Sequence, residues 1–150
     1  NCTLLFLPNG SPDFYSRTAM PAYSYPDSPT GATALSLSND SFQRISISGG
    51  NAVKLYGAAY SSLYVGSNGY VTFGQSDTGQ TESAANHFRL PRIACLFDDL
   101  NPAAAAVSWK QLSDRETDTW NNVVETGKTT RLTERMQSLR RHHCMSTKHS

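Results

Sequence analysis

Leu63-Tyr64-Val65-Gly66-Ser67-Asn68-Gly69-Tyr70-Val71-Thr72-Phe73 sets two runs of strand-forming residues on either side of an Asn-Gly step. Both residues of that step accept the positive φ that a type I′ turn needs, so the stretch predicts a β-hairpin closed at Asn68-Gly69. Upstream, residues 34–38 and 42–48 alternate apolar and polar side chains with period two, as strands with one buried face do. Asn39-Asp40 between them is turn chemistry, and Val53 to Tyr56 predicts another short strand ending at Gly57. Downstream, Ile93 to Phe97 is wholly apolar, which predicts a central strand buried on both faces and stopped by Asn101-Pro102. Val107 to Trp109 and Thr117 to Val124 supply two more strands. The pattern predicts an all-β fold, an antiparallel β-sandwich.

The flanks read differently. Residues 1–33 carry Pro8, Pro12, Pro21, Pro26 and Pro29, and proline lacks the N–H that a central strand donates, so an irregular N-terminal segment is expected there. Residues 34–125 form the sandwich module. Residues 1–125 hold 7 basic and 11 acidic side chains, net −4, whereas residues 126–150 hold 6 and 1, net +5. With that switch the alternation stops, so residues 126–150 are expected to be a basic, irregular tail, disordered or aberrant. A coding sequence truncated or frame-shifted near residue 125 accounts for both changes, and leaves the sandwich short of its last strands.

Composition narrows the function classes. The 150-residue chain fits one domain with an ordinary core. Low hydrophobic (38%) and charged (17%) content beside abundant Ser, Thr, Asn, Gly and Pro suits a secreted β-rich module. No run approaches the roughly 20 apolar residues of a membrane span. The basic tail has no aromatic residue to stack on a base, which argues against nucleic acid. Cys2, Cys95 and Cys144 show no CxxC spacing; Cys95 reads as a buried small hydrophobe, and Cys2 and Cys144 pair only if the chain ends meet. His142-His143-Cys144 with His149 offers soft metal ligands on a segment that lacks a rigid frame.

Candidate chemistry is sparse. No G-x-S-x-G elbow is present. A Ser/His/Asp site could still converge in space from Ser67 or Ser76, His87, and Asp98 or Asp99, which keeps a small esterase-like hydrolase as an alternative. Tyr56, Tyr60, Tyr64 and Tyr70 cluster near the hairpin, where core packing and stacking on sugar rings both use aromatic rings; the second use is the carbohydrate-binding alternative. Asp98 and Asp99 are adjacent, and successive strand residues face opposite ways, so they do not form an acid/base pair in extended chain. If the backbone turns there, they cap the turn or, with Asn101, serve a calcium ion, the one cofactor the sequence admits.

Tyr60 to Gly74 (YSSLYVGSNGYVTFG), His87 to Pro102 (HFRLPRIACLFDDLNP) and Val107 to Val123 carry motifs in an order that resembles a β-sandwich module of secreted bacterial proteins. The pattern is of the type SSNGYxTFG, LFDDLNP, WxNV, and is distantly similar to the extracellular nidogen-like domain, over roughly residues 45 to 125. The resemblance implies a secreted or cell-surface accessory module that binds an extracellular polymer, a surface or a parent enzyme, with no catalytic residues to carry over. Two departures stand out. Ala103 to Ala106 replaces glycines after Asn101-Pro102, and Asp114-Arg115 leads into Glu-Thr-Asp-Thr rather than an apolar strand.

Overall fold

The computed structural model describes residues 2–12, 14–21, 27–103, 106–139 and 143–149, with the side chains of Cys2, Leu139 and residues 143–149 outside the description. Pro26, Ala104, Ala105 and His142, named above, lie outside the described residues.

The chain opens with a hairpin, β1 (Cys2–Pro8) and β2 (Tyr15–Pro21), where the proline content predicts irregular structure. The prolines are positioned so as not to interrupt it. Pro8 and Pro21 end their strands, Pro12 falls in the connection, and β2 lies at a sheet edge, where a missing N–H costs no ladder bond. After β3 (Thr33–Ala34), Leu35 and Leu37 bury alternate side chains, the turn at Asn39-Asp40 reverses the chain, and β4 (Phe42–Ser46) buries Ile45. A small hairpin of β5 (Val53–Leu55) and β6 (Ala58–Tyr60) follows, turning at Tyr56 and Gly57, both with positive φ. Next come the decisive strands β7 (Ser62–Gly66) and β8 (Tyr70–Phe73). Helix α1 (Ala84–Phe88) is one turn long and starts where the Ser83 hydroxyl accepts from the Asn86 N–H at 3.0 Å. The remainder is β9 (Arg92–Ala94), β10 (Leu100–Asn101), β11 (Val107–Gln111), β12 (Arg115–Glu125), β13 (Arg131–Leu139) and β14 (His143–His149).

All pairings are antiparallel, and the two main sheets enclose one core. The larger sheet runs β2-β1-β14-β13-β12-β11-β3, with β10 on β12, and the smaller runs β4-β7-β8-β9. Leu35, Ile45, Leu63, Val65, Val71, Phe73, Leu100, Val107 and Trp120 fill the space between. The indole N–H of the fully buried Trp120 donates to the Gly66 carbonyl at 3.0 Å, tying the sheets together. The sandwich class is as the alternation predicts.

Three local expectations change. The β7–β8 hairpin is real, but residues Ser67, Asn68 and Gly69 form a three-residue connection. Among these, Gly69 alone has positive φ (+76°), so Asn68 is released from the turn-forming role. The apolar run after Arg92 is no central strand: β9 is an edge strand of three residues. The chain then bends because the N–H groups of Cys95 and Leu96 both donate to the Gly69 carbonyl. Residues 126–150 carry β13 and β14 instead of an irregular tail. Backbone ladders hold them, with one register shift between Trp120 and Val123 on β12, and they complete the sheet between β12 and β1.

The side chains of that last addition fit poorly. Glu134, Arg135, Gln137 and Ser138 on β13 are buried against Glu116, Thr117, Asp118 and Thr119 on β12. Oxygens of Thr117, Asp118, Gln137 and Ser138 are buried without a hydrogen-bond partner among the described residues, at about 1–3 kcal/mol each. Burial, reinforced by the Glu116 carboxylate, pushes the Asp118 carboxyl up to about 8. The ends of the chain do meet, but Cys144 lies opposite Phe6 and Cys2 opposite Lys148. Four strand positions are roughly 13 Å, beyond disulfide reach.

Candidate functional site

The fully buried Asn68 organises the corner that Asp98 and Asp99 occupy. Its amide donates to the Asp40 carboxylate (3.0 Å) and the Gly79 carbonyl (3.1 Å), and its side-chain oxygen accepts from the Leu100 N–H (3.0 Å). Asp98 Oδ1 accepts from the Asp99 N–H at 2.9 Å, an interaction local to the bend. Asp99 Oδ1 accepts from the Thr126 hydroxyl at 2.8 Å, and its carbonyl from the Thr126 N–H at 2.7 Å. Asn101 is exposed in β10 opposite Val124. The adjacent carboxylates thus pin two different loops, and among the described residues no three His, Cys, Asp or Glu side chains gather as a cation cage. Melting with and without EDTA tests the calcium reading of Asp98, Asp99 and Asn101: a calcium-dependent rise of several degrees supports it, and an unchanged melting temperature removes it.

The candidate hydrolase residues are dispersed among structural roles. Ser67 is buried, and its hydroxyl accepts from the Ser41 N–H at 3.1 Å and contacts the Asn68 amide oxygen. Ser76 lies beside Asp77 in an open groove with Phe42 and Arg89. His87 sits on α1 against Phe88, and no hydrogen bond joins it to Ser67, Ser76, Asp98 or Asp99 among the described residues. The four tyrosines do not form one flat platform. Tyr70 is buried with its hydroxyl donating to the Gly79 carbonyl (2.9 Å), Tyr60 packs on Phe73, Tyr64 on Phe42, and Tyr56 is exposed against Phe14 and Tyr15.

The most developed electrostatic feature was not legible from spacing. Arg92, 3% exposed, stacks its guanidinium between the rings of Tyr70 (4.3 Å) and Phe97 (4.4 Å) and ion-pairs with Asp77. The more exposed Arg89 reaches the same carboxylate at 2.7 Å. Burial by itself would raise the Asp77 carboxyl, but the Arg89 hydrogen bond, the Arg92 charge and the Gly79 N–H together hold it below its usual value. Burial, and then the Arg92 charge, hold the His87 imidazole below its ordinary value. Beside this cluster a cavity of about 130 Å³ is lined by Phe6, Tyr15, Leu55, Tyr56, His87 and the β9 residues. The one available signal was an arginine opening an otherwise apolar run.

A family model described as NIDO related matches residues 14–112, which contain the hairpin, the Asn68 corner, the Arg92 cluster and most of the cavity wall. The chain belongs to the NIDO-related family. This makes it a nidogen-related module, a domain of the non-catalytic, extracellular type. The match begins before β2 and ends just after β11, so β12 to β14 lie outside it. No curated protein and no solved structure gives a match. Among the described residues no helix is long and apolar enough to cross a membrane.

Proposed function

We propose that this NIDO-related module serves as a non-catalytic binding or support domain carried beside a secreted bacterial enzyme or surface protein. Family membership over residues 14–112 carries the reading. The site geometry agrees with it: Ser67 and Asp99 are engaged in holding backbone corners, so a nucleophile and an orienting carboxylate would have to leave structural bonds to react. Its partners are an extracellular polymer, a surface or the parent enzyme itself.

The hydrolase alternative is tested with p-nitrophenyl acetate and p-nitrophenyl butyrate on the parent chain and on His87→Ala. The expected result is no turnover above the buffer rate by either. Turnover by the parent that His87→Ala removes would overturn the module reading.

A further inference from the structure

We propose that the open edge of β9 is a strand-addition site for an extended peptide with one large apolar residue and an acidic flank. This rests on the binding-module reading and names its partner. In the β8–β9 ladder, Val71 pairs with Ile93, Phe73 N–H donates to the Pro91 carbonyl and Cys95 N–H to the Gly69 carbonyl. Residues 91, 93 and 95 are therefore the hydrogen-bonded positions, and antiparallel alternation turns the N–H and C=O groups of Arg92 and Ala94 away from β8. No strand lies beyond β9, and no backbone bond from Arg92 or Ala94 runs outward among the described residues. Edges are ordinarily blunted by lysine, proline, an inward-turned charge or a cover; in β9 Arg92 is such a charge and Pro91 precedes it, so the more accessible outward groups are those of the half-buried Ala94. The edge opens on the 130 Å³ cavity.

The cavity has the dimensions of a side-chain pocket, since an apolar void of about 150 Å³ accepts benzene. Phe6, Tyr15, Leu55, Tyr56 and Ile93 make most of its wall, and His87, Arg92 and Ala94 complete it. A peptide paired along the edge sends alternate side chains to one face, so one large apolar residue enters while the backbone makes the ladder. Tyr56 and Phe14, 45% and 47% exposed and 5.5 Å apart edge to face, extend the apolar wall outward as anchoring rings do at interfaces. The charge is selected by the rim. The cationic side chain of the rim is Arg89, which reaches Asp77 at 2.7 Å yet is 59% exposed beside Tyr56 and His87.

The test uses the whole chain and fluorescein-labelled Asp-Thr-Leu-Thr-Asp, followed by fluorescence anisotropy. Saturable binding is expected. It weakens about tenfold or more when the leucine amide is N-methylated, and by a similar factor when both aspartates become lysine. Ala94→Pro removes an outward N–H without touching the β8 ladder, and is expected to abolish binding at an unchanged melting temperature. No saturation by millimolar peptide, or equal binding of the N-methylated peptide, overturns the proposal. So does a dimer in sedimentation that Ala94→Pro dissociates, because the edge then belongs to a second copy. Failure here with no ester turnover leaves the module reading standing, whereas His87-dependent turnover removes that reading first.

Independently, we infer that the residues beyond about 125 are encoded out of the module's reading frame. The family match ends at residue 112, the net charge reverses after 125, and the buried oxygens of Thr117, Asp118, Gln137 and Ser138, without a hydrogen-bond partner among the described residues, lie on the β12–β13 pairing. The codons add a further constraint. Whatever synonyms are used, reading Arg140 to Met145 one nucleotide later yields Ile or Thr at two successive positions followed by Val or Ala, residues that strands favour. Sequencing the gene and translating that frame tests this. An alternating apolar pattern that lengthens the family match is expected; a stop codon or no alternation across residues 126–145 overturns it.

Discussion

Gly69→Ala is expected to lower the unfolding free energy by about 3–5 kcal/mol, a large share of the stability of a domain this size. Two costs combine. Gly69 sits at φ +76°, where an L side chain costs roughly 1–2 kcal/mol. A Cβ there would also lie 1.8 Å from the Leu96 carbonyl oxygen and 2.9 Å from its carbon. Those are backbone atoms, so no rotamer change relieves the contact, and the 95–98 corner must move. The movement breaks the bonds from Cys95 N–H (3.1 Å) and Leu96 N–H (3.3 Å) to the Gly69 carbonyl. Gly57→Ala isolates the first cost, because Gly57 has φ +79° with nothing within 4 Å of its added Cβ; it should lose only about 1–2 kcal/mol. Urea unfolding of both variants gives the comparison. Equal losses would mean that the close approach to Leu96 contributes nothing.

The contrast between these glycines shows where sequence reading succeeds and where it stops. Alternation at Leu35, Leu37, Ile45, Ile47, Leu63 and Val65 is a local property of each strand, and it places all six in the core correctly. The Asn-Gly step marks a hairpin from neighbouring residues alone, but the three-residue connection depends on the Val65–Val71 register, which is set across strands. The Arg92 cluster needs Asp77, Tyr70 and Phe97 from three other parts of the chain, and no spacing rule links them. Proline content misleads for β1 and β2 because composition says nothing of whether a proline falls inside a strand or at its end. For β13 the side-chain pattern is polar and the pairing is made by backbone, which every sequence offers alike.

Asn68→Ala is the second large effect, about 2–4 kcal/mol. The side chain is fully buried and satisfies groups from three segments, so truncation does more than shorten a turn. Gly79 O keeps the Tyr70 hydroxyl as a donor, but the Leu100 N–H loses the acceptor it reaches at 3.0 Å in the interior. That orphaned donor is the chief cost, and the void beside it adds to it. Asn68→Asp separates the two halves of the amide, since it keeps the oxygen for Leu100 and replaces the donor that faces Asp40 and Gly79. A carboxylate there meets the Asp40 carboxylate and a carbonyl, which favours its protonated form and raises its folded-state pKa above the unfolded value. A raised acid contributes stability at low pH and loses it as pH climbs from the unfolded toward the folded pKa. Asn68→Asp should therefore stand closer to the parent at pH 4 than at pH 7, while the deficit of Asn68→Ala stays the same at both. Parallel pH dependence in the two variants would place the cost in packing and not in the Asp40 contact. Since Asn68 also holds the start of β10, either substitution loosens the corner at Asp98 and Asp99, and the exchange of the Leu100 amide should report this before global unfolding does.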